Sequence, residues 1–271
     1  MPELPEVETT CRGISPHILH QTIKEVIIRA PKLRWPIPKN ITKILPGQVV
    51  RAIERRAKYI LIKFDIGTLI IHLGMSGRLQ TLSTHAPAQK HDHVDIGFSN
   101  GTWLRLTDPR RFGAVLWTEH SPFEHKLLVN LGPEPFDAAF SSKYILAQAK
   151  NKKIAIKKFI MDAAIVVGVG NIYASEALFA AKIDPRKAAQ DVTLQQYTIL
   201  VKHIRSILKA AIAKGGTTLK DFLDTDGKPG YFSQKLKVYG RDQQPCFECN
   251  NSIESLQIGQ RNTFFCTTCQ S

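Results

Sequence analysis

Val94-Asp95-Ile96-Gly97-Phe98-Ser99-Asn100-Gly101-Thr102-Trp103-Leu104-Arg105-Leu106 holds two short runs of β-branched and aromatic residues with Asn-Gly between them. Asn-Gly flanked by such runs is a strong hairpin signal and predicts a type I′ turn. The same kind of run recurs outward at Thr22–Ile28, Val49–Ile53, Tyr59–Phe64, Thr68–His72 and Ala114–Trp117. No helical periodicity separates these runs, which argues for an antiparallel sandwich or barrel and against a parallel sheet. Ahead of them, residues 2–19 read as a helix. Leu4, Val7, Cys11 and Ile14 recur at three- and four-residue spacing, while Glu3 and Glu6 share another face.

Gly132-Pro133-Glu134-Pro135 then interrupts the chain, since two prolines so close continue neither element. Helical periodicity runs from about 142 to 213, broken at Gly168-Val169-Gly170 and at Asp184-Pro185, and Gly215-Gly216 ends it. The expected fold class is α+β: a β domain over 1–130, a linker over 131–150, a helical domain over 151–235 and a metal-bound hairpin over 236–271.

The 271 residues carry 37 Lys and Arg against 23 Asp and Glu, a net charge of +14 and a pI near 9.6. Such a balance favours a polyanionic partner, nucleic acid being the commonest, although a basic surface without a partner is the plain alternative. Hydrophobic residues are 43%, charged residues 22% and mean hydropathy is −0.14, which excludes bulk disorder and collagen-like repeats. No run approaches the roughly 20 apolar residues that span a bilayer. The first eight residues include Glu3, Glu6 and Glu8 and lack the pattern of a signal peptide, so a cytoplasmic location with reduced thiols is expected.

Cys246-x2-Cys249, sixteen residues, then Cys266-x2-Cys269 has the spacing of a four-thiolate zinc ribbon. Two redox dithiols are the alternative, but they expect a thioredoxin-like βαβ setting that the sequence lacks. Four thiolates fill a tetrahedron, so one structural Zn2+ is expected, with no open position for catalysis. Gly259-Gln260-Arg261 would lie at the hairpin tip, where a guanidinium can meet a phosphate. Cys11 falls on the buried stripe of the first helix.

Other stretches leave two readings open. Val166-Val167-Gly168-Val169-Gly170-Asn171 fails as a dinucleotide fingerprint because Tyr173 stands where the third glycine belongs. It works better as a turn between helices, with Asn171 capping the second and free N–H groups able to hold a phosphate. Lys152, Lys153, Lys157 and Lys158 upstream strengthen that phosphate reading. Asp108-Pro109-Arg110-Arg111-Phe112-Gly113 and Gly74-Met75-Ser76-Gly77 each read as plain turns. Each also offers an apolar tip, with arginines in the first, as a DNA wedge requires. His91 is either solvated or a ligand to phosphate or metal. Lys58 shares the parity of Ile60, Ile62 and Phe64; it either snorkels to the surface or, facing a cleft, donates protons. Pro2, freed by removal of Met1, would offer a secondary amine that is partly neutral at physiological pH and able to form an iminium. Glu3 and Glu6 lie within one helical turn of it, and offsetting the helix dipole is their other reading.

Met1-Pro2-Glu3-Leu4-Pro5-Glu6-Val7-Glu8-Thr9 resembles the start of the formamidopyrimidine-DNA glycosylase (Fpg, MutM) family. The resemblance continues through His72–Gly77, Asp108–Gly113, Gly168–Ala174, Gly215–Thr218, Gly227–Tyr231 and the four cysteines, and so runs the full length. Leu4 stands where the endonuclease VIII branch, which prefers oxidised pyrimidines, typically has glycine. The resemblance implies an N-terminal β-sandwich with flanking helices and a C-terminal helix–two-turn–helix domain, residues 151–184 forming that motif. It implies a monomer without a membrane partner, acting on double-stranded DNA that contains oxidised purines. Excision of 8-oxoguanine and formamidopyrimidines would be followed by nicking of the abasic site. Pro2 matches the nucleophile, Glu3 the acid/base of base loss, Lys58 the proton donor of β-elimination and Arg261 that of δ-elimination. His91, Arg110, Lys152 and Asn171 match DNA contacts, and Met75, Arg110 and Phe112 the wedge that fills the void. The 216–230 stretch matches the loop over the flipped base. The chain departs from the family pattern at Ala163-Ala164, where a polar residue is frequent. The rival classes are a zinc-ribbon nucleic-acid binder without catalysis, for which Pro2 beside Glu3 has no explanation, and a glycosylase for oxidised pyrimidines.

Overall fold

The computed structural model describes residues 2–216 and 236–271. The 217–230 part of the expected base-capping loop and Met1 lie outside the described residues. The chain forms two compact units: Met1–Val129 with Lys214–Ser233, and Asn130–Ala213 with Gln234–Ser271.

The first unit opens with helix α1 (Leu4–Ile18), followed by β1 (Ile23–Ile28), the short α2 (Ile41–Ile44), β2 (Ala52–Arg56), β3 (Tyr59–Phe64) and β4 (Gly67–His72). Strands β5 (Arg78–Leu82), β6 (Asp92–Phe98), β7 (Trp103–Thr107) and β8 (Ala114–Thr118) complete it. Two antiparallel four-stranded sheets result, in the orders β1-β6-β7-β5 and β2-β3-β4-β8. Alternate residues of both sheets meet in one apolar cluster. Val26, Ile96 and Leu104 come from the first sheet, and Ile60, Ile62, Leu69 and Val115 from the second. Val7, Cys11, Ile14 and Ile18 of α1 join them, so the expected stripe of α1 is the buried one. Burial raises the Cys11 thiol to about 12, leaving it a small hydrophobe.

Two local expectations are corrected. The Asn100-Gly101 hairpin forms, but its turn is not type I′. Asn100 lacks positive φ, Gly101 has φ 86°, and the Gly101 N–H donates to Phe98 O while the Phe98 N–H donates to Thr102 O. That is the three-residue loop in which a type I turn precedes a left-handed glycine, with Ser99 as the added residue. The Val49–Ile53 run also divides between two partners. Val50 exchanges backbone bonds with His20 and Gln21, whereas β2 begins at Ala52 and pairs with β3. Strand β5 was not foreseen, because Arg78-Leu79-Gln80-Thr81-Leu82 has little β-branched character; pairing with β7 makes it a strand.

On β6, the buried Asp95 gathers Arg105, Arg29 and His85. Burial alone would raise its pKa, but these hydrogen bonds hold the carboxyl well below the usual range. Arg105 also donates to the carbonyls of Ala86 and Pro87, which fastens the chain leading to His91.

The second unit contains α3 (Ser142–Ala149), α4 (Ile156–Ile160), α5 (Asn171–Ala180), α6 (Leu194–Ala213) and the hairpin β9 (Glu254–Ile258)–β10 (Arg261–Phe265). The stretch 131–150, read from sequence as a linker, is packed structure here. Phe140 and Ile145 are buried, and Arg205 of α6 donates to the carbonyls of Pro135, Asp137 and Phe140. Among the described residues no helix is long and apolar enough to cross a membrane.

Candidate active site and metal centre

Glu3 is the N-cap of α1, with extended backbone, and forms a reciprocal capping box with Glu6. The Glu3 N–H donates to Glu6 Oε2 at 2.8 Å. Both residues are buried, each 2% exposed, in the four residues that follow Pro2. Placing them at a helix start satisfies backbone donors and complements the dipole, so sheltering them costs less than it would elsewhere. Gly216, with φ 84°, backs onto Glu6: a Cβ there would stand 2.9 Å from Glu6 Oε1. The glycine pair that ends α6 therefore returns to the start of α1, a contact that sequence reading missed.

Lys58 lies immediately ahead of β3, in the turn that joins it to β2. Arg56 and Tyr59 are the last pair of β2 and β3, and Ala57-Lys58 close the hairpin with φ 54° at Ala57. Its charge acts on His72, the last residue of β4, which pairs with Tyr59.

The two loops with wedge character meet. A Cβ on Gly74 would lie 2.4 Å from the Phe112 carbonyl carbon. Asp108 ties them further, accepting from the Gly113 N–H at 2.8 Å and from Ser76 Oγ at 3.3 Å. His91 is adjacent: its carbonyl accepts the Asp108 N–H, and His93 Nε2 lies 2.8 Å from the Asp108 carbonyl. Phe112 is 45% exposed, with the Arg110 guanidinium 4.9 Å from its ring centre. Met75, His91, Arg110 and Phe112 are thus brought together on one rim of the first unit.

In the second unit Lys152 and Arg261 are exposed. Arg261 follows the two-residue turn Gly259-Gln260, where both φ values are positive, so it opens β10 beside the tip. Asn171 is the first helical residue of α5, and Gly170, not Asn171, is the N-cap. The Asn171 amide instead donates to the carbonyl of Asn262 in β10 at 3.0 Å. Lys157 is buried and does not join a phosphate-facing lysine group. Its ammonium donates to Asn262 O at 3.1 Å and Thr263 Oγ1 at 2.8 Å, which holds the hairpin on α4. Glu176 was also missed. Buried in α5, it accepts from the N–H groups of Lys237, Val238 and Tyr239 at 2.8–2.9 Å and fixes the chain entering the finger. Burial raises its pKa despite these three bonds. A single carboxylate within the apolar run Ile172–Ala181 was its signal. At Ala163-Ala164 the neighbouring chain uses backbone, the Gly132 N–H donating to Ala163 O, a contact indifferent to the missing polar side chain.

The four cysteines converge, their sulfurs all within 4.8 Å of one another. Cys246 and Cys269 are 4.0 Å apart and Cys249 and Cys266 3.4 Å. A tetrahedron with Zn–S bonds of about 2.3 Å has edges of about 3.8 Å, so the donor set fits one zinc.

Three family models match in order. The formamidopyrimidine-DNA glycosylase N-terminal domain covers residues 1–115, the formamidopyrimidine-DNA glycosylase H2TH domain 131–223, and the zinc finger found in FPG and IleRS 243–271. This is the domain set of a DNA glycosylase. The chain belongs to the formamidopyrimidine-DNA glycosylase (Fpg, MutM) family, whose enzymes combine glycosylase and abasic-site lyase activities. The formamidopyrimidine-DNA glycosylase of Vibrio parahaemolyticus is 57% identical over 271 residues, covering 100% of both chains. Lactococcus lactis Fpg in complex with DNA containing N7-benzyl-Fapy-dG has a TM-score of 0.92 at 32% identity, with 100% of each chain covered. MutM in complex with DNA containing carbocyclic 8-oxo-G has a TM-score of 0.90 at 32% identity, again over 100% of both chains.

Proposed function

We propose that this chain excises oxidised purines, 8-oxoguanine and formamidopyrimidines, from duplex DNA and then nicks the abasic site by β,δ-elimination. It acts as a monomer in the cytoplasm, where reduced thiols remain available to zinc. The observation that carries the reading is the convergence of Met75, Arg110 and Phe112 on loops locked backbone to backbone. A lesion inside a duplex is out of reach until its nucleotide is flipped at a cost of a few kcal/mol. An apolar tip with a cation beside it holds the resulting gap open.

With Met1 removed, the Pro2 amine attacks the sugar C1′, and the C1′–N bond to the base breaks. The base leaves with a proton supplied by Glu3, which is buried and directly follows Pro2 in the chain. The sugar ring opens to an iminium, O4′ taking up the proton that the attacking amine sheds; the iminium acidifies the C2′ hydrogen, which passes to water as the C3′–O bond breaks, and Lys58 protonates the leaving 3′-phosphate oxygen. A second elimination, assisted by Arg261, expels the 5′-phosphate, and water releases Pro2. His91, Arg110, Lys152 and Asn171 hold the phosphate backbone, and zinc, held by the four cysteines, gives the finger its fold.

Borohydride reduction in the presence of 8-oxoguanine duplex should trap a covalent protein–DNA adduct through Pro2. A DNA-binding protein without catalysis would give none. A panel of duplexes carrying oxidised purines and oxidised pyrimidines separates the two branches, and faster cleavage of the pyrimidine set would reject the purine assignment.

A further inference from the structure

We infer that His72 is a positioning residue, whose Nδ1 accepts the Gly74 N–H and sets the Met75 loop against Arg110–Phe112 for entry into the duplex. This inference rests on the wedge reading above and goes beyond it by naming the group that aims the wedge.

Several observations meet at this side chain. The Gly74 N–H lies 3.0 Å from His72 Nδ1, so the imidazole proton is on Nε2. The ring is packed on Tyr59, with centroids 4.8 Å apart, and the backbone of the same two residues is paired between β3 and β4. The main chain of His72 meets the second loop: a Cβ on Gly113 would stand 2.7 Å from the His72 carbonyl oxygen. One residue thus touches both halves of the wedge, the Met75 loop by its side chain and the Phe112 loop by its backbone. An imidazolium would turn an N–H toward the Gly74 N–H, two donors facing each other, and the loop would lose its anchor. Burial, then the charges of Lys58 and Arg34, hold the group neutral, with its pKa lowered to about 4. Of the two titratable residues on β3, Tyr59 faces the ring, is raised by burial and stays protonated, while Lys63 pairs with Thr68 at the far end of β4.

The test compares His72→Asn, whose side-chain oxygen can replace Nδ1 as acceptor, with His72→Leu, which cannot accept. Single-turnover excision of 8-oxoguanine from duplex is measured beside nicking of a single-stranded abasic oligonucleotide. A displaced group of this kind costs about 10–100-fold, so His72→Leu should lose that much on duplex and keep most single-strand nicking. His72→Asn should recover most of the duplex rate. Wild-type or equally reduced rates of His72→Leu on both substrates would overturn the inference, as would failure of His72→Asn to recover. Met75→Ala is run in parallel. If it shows no duplex-selective loss, the wedge reading falls and this inference with it; if it does while His72→Leu does not, only this inference falls. Should His72→Leu not fold, the nitrogen NMR spectrum of the wild-type imidazole decides. Nδ1 should be unprotonated at neutral pH, and a proton there would overturn the assignment.

Discussion

Gly74 and Phe112 stand backbone against backbone. Gly74 has φ 63°, and a Cβ added to it would come within 2.4 Å of the Phe112 carbonyl carbon and 2.5 Å of Gly113 N. Two turns far apart in sequence are thereby fixed as one rim, with Met75 on one side and Phe112 on the other.

Gly74→Ala should therefore weaken both stability and duplex cleavage. The left-handed backbone alone costs an L-residue about 1–2 kcal/mol, and the clash with Phe112 adds to it. A lowered melting temperature together with slower 8-oxoguanine excision is expected; unchanged melting would show that the loops can part freely.

Glu3→Gln separates the two reactions. Base loss needs a proton donor, whereas an already abasic sugar has no base to expel. Excision should fall by about 10²–10⁴-fold, the usual worth of general acid catalysis, while preformed abasic sites are still nicked substantially. Wild-type excision by Glu3→Gln would move the acid elsewhere, with Glu6 next in line.

Cys249→Ser, or zinc removal by a chelator, should abolish DNA binding while the first unit stays folded. The finger is too small to fold on apolar burial alone. Full affinity in a preparation free of zinc would contradict this.

Glu176→Ala leaves the N–H groups of Lys237, Val238 and Tyr239 without their acceptor. At about 1 kcal/mol or more for each, the loss should reach about 3 kcal/mol and appear as early unfolding of the second unit. Glu176→Gln, which keeps one acceptor oxygen, should lose less in the same denaturant titration.

The fold class was legible because its signals are local. Asn100-Gly101, the period-two runs and the paired cysteines each act over a few residues, and all three predict real elements. Boundaries failed where one run serves two partners, as at Val49–Val50, or where a neighbour makes the strand, as with β5. Candidate side chains on turns were also legible, since Met75, Arg110 and Phe112 stand out against their glycines. Lys157 and Glu176 were not, because a buried charge is recognised by its partners. Those partners lie far away, in Asn262–Thr263 and Lys237–Tyr239. The contact of Gly216 with Glu6 was hidden for the same reason.

Acid should destabilise the fold in two windows. His72 has a folded pKa of about 4 against 6.5 for the free group, so between these values the unfolded chain binds the extra proton. Stability from this residue is complete above pH 6.5 and declines toward pH 4, by at most about 1.4 kcal/mol per unit. Asp95, held below its usual 3.8, contributes above that value and is lost as pH falls further. Melting curves from pH 7 to pH 4 should be shallower for His72→Asn than for wild type. Parallel curves would show that His72 is not held neutral.

The first unit is assembled from Met1–Val129 and Lys214–Ser233, and among the described residues Gly216 of the second segment lies against Glu6. During synthesis on the ribosome, the acidic start of α1 leaves the exit tunnel long before the glycine that backs it has been translated. The Glu3–Glu6 pair therefore acquires its final surroundings only after α3 through α6 have been made. No single cut through the chain yields the first unit whole: a fragment ending at Val129 carries Pro2, Glu3, Lys58 and the Gly74 and Phe112 loops, yet its Glu6 lacks Gly216. Exchanging this unit with that of a relative would require grafting two separate segments.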